Sequence, residues 1–193
     1  MDAPSAEALG AVLEQDRGHL PFALIHGEAL VAAAVWALGE AGVTPVDLGT
    51  PWEALVSAEE PVVLHDPLCP MTPPDFIASC LERAVERACV VVGVRPVTDT
   101  VKVVDDGLVG ATLDRDGLVA VTSPVVLPTD VVAALDGLPA TGFVELVAAL
   151  RSRFPVELVE APPAARRVGT EEDVRVLEAL TRARGPAPGP PGT

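Results

Sequence analysis

Apolar positions along the chain follow two rhythms that alternate. Short unbroken runs, LGAVL (Leu9 to Leu13), PVVLH (Pro61 to His65) and Ala88 to Val94, have the length and β-branching of strands covered on both faces. Thr44 to Leu48 and Val156 to Val159 read as two further short strands. Between them lie stretches with a helical repeat. Gly27 to Gly42 is rich in Ala and Leu and closes on a glycine. Pro73 to Ala88 gathers Phe76, Ile77, Cys80, Leu81, Ala84, Val85 and Ala88 on one side and its charges on the other. Thr141 to Phe154 is amphipathic, with Thr141 placed as an N-cap. Thr170 to Asp173 carries a capping-box pattern that opens a helix running to about Arg184. This alternation predicts an α/β fold, a mostly parallel sheet with helices on both faces.

One region breaks the rhythm. From Val97 to Val126 no helical period appears, and two Asp/Gly turns, Asp105-Asp106-Gly107 and Asp114 to Gly117, separate short β-rich runs. The expectation is a β-arm inserted into a single α/β domain spanning residues 1–184. Residues 185–193 (GPAPGPPGT) form a Pro/Gly-rich tail, expected to be disordered. Trp36 and Phe76 are expected in the core, and Trp52, at a Pro-Trp-Glu helix start, half exposed.

Composition narrows the partners. The 193 residues carry a formal charge of −15, which repels phosphate backbones and anionic membranes, so neither nucleic acid nor membrane is expected. The apolar helical stretch Ala29 to Leu38 is too short to span a bilayer, and the acidic N-terminus lacks a signal-peptide pattern. Cys69, Cys80 and Cys89 are odd in number and contain no CxxC pair, as expected of reduced thiols in a cytoplasmic protein.

Polar clusters fall where buried strands end, the place where open α/β sheets bind ligands. His65-Asp66 follows PVVL, and Thr98 to Lys102 follows CVVVGV and Arg95-Pro96. Taken alone, the first also suits a strand-end capping pair and the second a self-bonding turn. With LDR (Leu113 to Arg115) and RVGTEED (Arg167 to Asp173), however, LHDPLCP (Leu64 to Pro70) and PVTDTVK (Pro96 to Lys102) resemble, in kind and order, the motifs of the 2-C-methyl-D-erythritol 4-phosphate cytidylyltransferase family. The resemblance spans roughly residues 9 to 182. It implies a Rossmann-like sheet whose β-arm clasps a second subunit in a homodimer. It also implies CTP and methylerythritol phosphate as substrates, Mg²⁺ as cofactor, and a product for isoprenoid precursor synthesis.

Roles follow from the same resemblance. Thr100 and Arg115 match positions that hold the methylerythritol phosphate group, for which a hydroxyl and a two-pronged guanidinium are suited. Lys102 closes the motif with them on the substrate side. Asp66 matches the aspartate near the metal and the reacting phosphates. Arg167 stands where the family has a lysine that stabilises the transition state.

The N-terminal segment departs from the pattern. The family's glycine-rich loop, whose backbone N–H groups cradle the CTP phosphates, is replaced by EQDRGHLPF (Glu14 to Phe22). Arg17 stands in for the loop arginine, Phe22 replaces a lysine, and Glu14 and Asp16 place negative charge where triphosphate would sit. Cys69 replaces an arginine of the HD motif, and LGTPWEALVSAEEP lacks the glycine and serine segment around the base. Losing one charge-stabilising contact costs about 3–4 kcal/mol, about 10²–10³ in rate. Impaired turnover is therefore expected. The alternatives are a non-catalytic homologue that dimerises or binds a sugar phosphate, and a nucleotidyltransferase with another substrate.

Overall fold

The computed structural model describes residues 7–47, 49–98 and 100–182. Two strands, β1 (Leu9–Val12) and β5 (Val62–His65), pair in parallel near the middle of a six-stranded sheet. Beyond β1 lies β4 (Thr44–Pro45), a stub of the expected strand, with Leu48 outside the described residues. On the other side of β5 come β9 (Val119–Leu127), β6 (Val90–Pro96) and β10 (Val156–Glu160). Only β9 runs antiparallel to its neighbours, so the sheet is mostly parallel as expected.

The strands are buried on both faces, which is why their sequences are unbroken apolar runs. Ala11, Leu64, Val92 and Val125 face one core, where α2 (Trp52–Ala58), α4 (Thr129–Ala133) and α5 (Phe143–Arg151) pack. Val12, Val63, Val91 and Val126 face the other, under α1 (Leu30–Glu40) and α3 (Pro74–Arg87). A third cluster joins Ile25, Leu30, Leu68 and Val168 to Val174 and Leu177 of α6 (Glu171–Thr181).

Several boundaries differ from the sequence reading. The helix expected from Gly27 begins at Leu30, because a small hairpin, β2 (Leu24–Ile25) and β3 (Glu28–Ala29), precedes it. The left-handed residues His26 and Gly27 turn that hairpin. Trp36 is 61 % exposed rather than core, since α1 presents it away from the sheet. Phe76 packs partly buried against the second core. Trp52, half-buried as expected, donates its indole N–H to the Leu135 carbonyl at 2.7 Å.

The arm is a hairpin, β7 (Lys102–Asp105) and β8 (Leu108–Thr112), turned by Asp106 and Gly107 with positive φ. Its expected end at Val126 is wrong. β9 leaves the arm and runs into the centre of the sheet, where Thr122 to Leu127 are buried between β5 and β6. Pro124 is tolerated in a central strand because the β6–β9 register shifts beside it, between Val92 and Val94. The Pro/Gly-rich tail lies outside the described residues. Among those described, no helix is long and apolar enough to cross a membrane.

Candidate functional site

Because β1 and β5 are parallel neighbours, their carboxyl ends open on the same edge of the sheet. Two loops therefore start side by side: residues 14–19 after β1, and the turn at Asp66 after β5. Asp66 is buried, and its carboxylate is surrounded by donors. Oδ1 accepts from Arg17 Nε at 3.2 Å and from the Leu68 backbone N–H at 3.0 Å. Oδ2 accepts from Arg167 Nε at 2.9 Å. The Asp66 backbone N–H is held by Ser123 Oγ at 2.7 Å, which ties the turn to β9. The three charged residues come from segments 49 and 101 positions apart in the chain.

Each arginine is placed by its own local structure. The loop after β1 passes through left-handed Asp16 and Gly18, which folds Arg17 back over the sheet edge. Arg17 Nη1 donates to the Gln15 carbonyl (3.2 Å) and Nη2 to the Thr141 carbonyl (3.0 Å), while the Phe143 ring lies 5.9 Å from the guanidinium. Thr141 is not the helix cap expected of it. Gly142 occupies the N-cap of α5, and the Thr141 hydroxyl donates to Asp16 instead, bracing the same loop. Arg167 sits just before α6. The next residue, Val168, is fully buried and donates its N–H to the Leu68 carbonyl at 2.8 Å. Leu68 thus bonds the Asp66 carboxylate through its N–H and the Arg167 segment through its carbonyl. The expected capping box fixes the start of α6: Thr170 accepts from the Asp173 N–H, and Asp173 accepts from Thr170 and Gly169. The Gly169 N–H, followed by Thr170, holds the Asp173 carboxyl below its usual range.

Two clefts flank the cluster. One, of about 550 Å³, lies between the 16–20 loop and the start of α6, with Arg17, His19 and Arg167 among its walls but Asp16 and Glu171 there too. The other, of about 240 Å³, has Arg17, Asp66, Phe143 and Arg167 in its lining. His65 is fully buried beside Asp66, and neither ring nitrogen has a partner among the described residues. Burial lowers its pKa to about 4, against a smaller opposing pull from Asp66, so the ring is neutral near pH 7. Burial pushes the Cys69 thiol up, and Asp66 pushes it further; Cys80 rises to about 12, again mainly by burial. These thiols are inert at neutral pH.

The residues expected on the substrate side form a separate group. Thr100 and Arg115 line one cleft of about 420 Å³ on the arm, together with Thr112 and Asp114. Lys102 reaches it through a bond from Nζ to the Thr112 hydroxyl, and Arg115 is anchored by donating to the Thr98 carbonyl. Asp99 lies outside the described residues. This arm cleft shares no lining residue with the two clefts beside Asp66.

The donor set does not fit a resident metal ion. Both Asp66 oxygens already accept N–H bonds, and among the described residues no three His, Cys, Asp or Glu side chains gather to hold a cation.

The family model for 2-C-methyl-D-erythritol 4-phosphate cytidylyltransferase (IspD) matches residues 23–183. The chain belongs to this family. The match covers the HD turn, the arm and the Arg167 segment, and it begins beyond β1 and the 14–22 loop, where the glycine-rich pattern is missing. A 2-C-methyl-D-erythritol 4-phosphate cytidylyltransferase from Frankia casuarinae is 35 % identical over 130 residues, 65 % of this chain and 48 % of that protein. One from Symbiobacterium thermophilum is 32 % identical over 172 residues, 84 % of this chain and 66 % of that protein. The chain thus spans about half to two thirds of the length of these cytidylyltransferases. The crystal structure of the Thermus thermophilus enzyme superposes with a TM-score of 0.69 at 24 % identity, covering 91 % of this chain and 99 % of that one. That likeness establishes the IspD fold: a Rossmann-like, mostly parallel sheet with helices on both faces.

Proposed function

We propose that the chain transfers a cytidylyl group from CTP to methylerythritol phosphate, more slowly than a relative with a glycine-rich loop. The observation that carries this reading is the meeting of Arg17, Asp66 and Arg167 at the carboxyl ends of β1 and β5 in a chain of this family. In the reaction, an oxygen of the acceptor's phosphate attacks the CTP α-phosphorus. The new P–O bond forms as the bond to the β-phosphate bridging oxygen breaks, and pyrophosphate leaves with that electron pair. Negative charge builds on the phosphoryl oxygens, and a guanidinium beside Asp66 is suited to offset it. Magnesium, expected by resemblance, would have to arrive with the donor's phosphates rather than wait in a protein site, since no three His, Cys, Asp or Glu side chains gather around Asp66 among the described residues.

Acceptor binding is assigned to Thr100, Lys102 and Arg115, and the separation of their cleft from those beside Asp66, with no lining residue in common, gives the arm a second task. In a homodimer, an arm crossing to its twin would bring this cleft to a partner's Asp66 site. The exposed Val104, Leu108 and Val109 of the hairpin supply an apolar surface for such a contact. Buried free cysteines suit the reducing cytoplasm.

A non-catalytic role is the second reading, favoured by Asp16 and Glu171 in the larger cleft and by exposed Phe22 where the resemblance calls for a lysine. Phosphorus NMR of the chain with CTP, methylerythritol phosphate and Mg²⁺ separates the two. Growth of a new diphosphate ester with equimolar pyrophosphate supports transfer. An unchanged CTP spectrum, with methylerythritol phosphate still bound, supports the second reading.

A further inference from the structure

We propose that Arg17 is a strut for the Asp66 carboxylate, not a phosphate ligand, and that Arg167 is the guanidinium left to bind an oxyanion. This rests on the reading above, in which a guanidinium beside Asp66 offsets the phosphoryl charge, and says which of the two it is.

The two arginines touch the same carboxylate through Nε and line the same two clefts, but they differ in exposure and in what the rest of each guanidinium does. A guanidinium has one Nε–H and two N–H bonds on each Nη. Arg17 commits all three nitrogens: Nε to Asp66, Nη1 to the Gln15 carbonyl, Nη2 to the Thr141 carbonyl. Its side chain is 6 % exposed, and its guanidinium carbon lies over the Phe143 ring, 5.9 Å from the ring centre. Arg167 commits only Nε, again to Asp66; among the described residues neither Nη has a protein partner. Its side chain is 42 % exposed and lines both clefts. A paired Nη edge is the part of arginine that grips two oxygens of one phosphoryl group. Asp66, pinned by Arg17 and the Leu68 N–H, holds the Arg167 Nε and so sets the plane of that edge. Arg17 and Asp66 are then positioning residues, and Arg167 is the contact.

Asp16 and Glu171 limit what the larger cleft accepts. Its one free guanidinium, Arg167, is the group on which a single phosphoryl or diphosphate, such as a leaving pyrophosphate, would seat, against the repulsion of the two carboxylates.

The test is a titration of the full-length chain with pyrophosphate, followed through arginine Nε–H resonances. Arg167 is assigned by Arg167→Lys, and Arg17 by its contact with the Phe143 ring. The Arg167 signal is expected to move to saturation while that of Arg17 stays in place. Arg167→Gln, which removes the charge, should weaken pyrophosphate binding at least 10-fold, and Arg167→Lys, which keeps the charge but not the paired Nη edge, by an intermediate amount. Arg17→Lys keeps the charge but cannot reach three separated acceptors from a single nitrogen; it should shift the Arg167 signal before any ligand is added, which mere loss of stability would not do. The proposal is overturned if the Arg17 signal moves as far as that of Arg167, or if neither moves at millimolar pyrophosphate. An unmoved Arg167 signal in folded Arg17→Lys also overturns it; should that variant not fold, the wild-type titration decides alone. None of these readouts needs CTP turnover, so a chain that fails as a cytidylyltransferase can still pass this test.

Discussion

Asp66 carries the site at the scale of single residues, because one carboxylate satisfies donors from two distant segments and from its own turn. Removing it leaves Arg17 buried without its counter-charge. Breaking a buried pair in this way typically costs about 3–5 kcal/mol, so Asp66→Ala should lower the urea-unfolding free energy by roughly that amount. Replacing the exposed partner in Arg83–Glu157, by contrast, should cost under about 1 kcal/mol. His65 gives a pH signature. Its folded pKa of about 4 lies below the ordinary 6.5, so the unfolded chain binds the extra proton first. Its contribution is complete above pH 6.5, falls as the pH drops toward 4, and amounts to about 3 kcal/mol. Urea midpoints measured across that window should decline more steeply for the wild type than for His65→Gln. In the sequence, the three charged residues were legible because each stands in or beside a motif. The groups that hold them were not: Ser123, Thr141 and the Leu68 backbone act through single hydroxyls and peptide groups, which leave no periodic trace.

At the scale of elements, strands covered on both faces were the easiest to read, since their apolar runs have no competing pattern. The strand β9 was misread as arm throughout, because Pro124 and the preceding Asp/Gly turn mimic an irregular hairpin. Its pairing with both β5 and β6 is a long-range fact. That pairing makes Gly93 critical. A Cβ there would lie 2.4 Å from the Ser123 carbonyl oxygen, and Ser123 is the residue that holds the Asp66 N–H. Gly93→Ala should destabilise by about 1–3 kcal/mol and disturb Asp66 as well. A loss of pyrophosphate affinity alongside the lowered urea midpoint would be the sign of that coupling. The short α4 and the β2–β3 hairpin leave no trace in the sequence pattern because five- and two-residue elements are below the length at which periodicity speaks. The start of α6 was legible to the residue, since a capping box is a local chemical signal; Thr170→Ala should cost about 1 kcal/mol in the same assay.

At the scale of the whole molecule, the proposed function has to join two groups of residues that line separate clefts. The arm hairpin exposes Val104 and Val109 at its tip, away from its own sheet. A dimer that covers them would unite the clefts. Val104→Glu with Val109→Glu should then convert a dimer to a monomer in sedimentation velocity and reduce transfer while the urea midpoint of the monomer is retained. The most direct test of the account is the initial rate of pyrophosphate release from CTP and methylerythritol phosphate, compared between the wild type and Arg167→Gln. The account predicts release that requires both substrates and falls by about 10²–10³ in the variant. Equal rates in the two proteins, or no release from either, would contradict it.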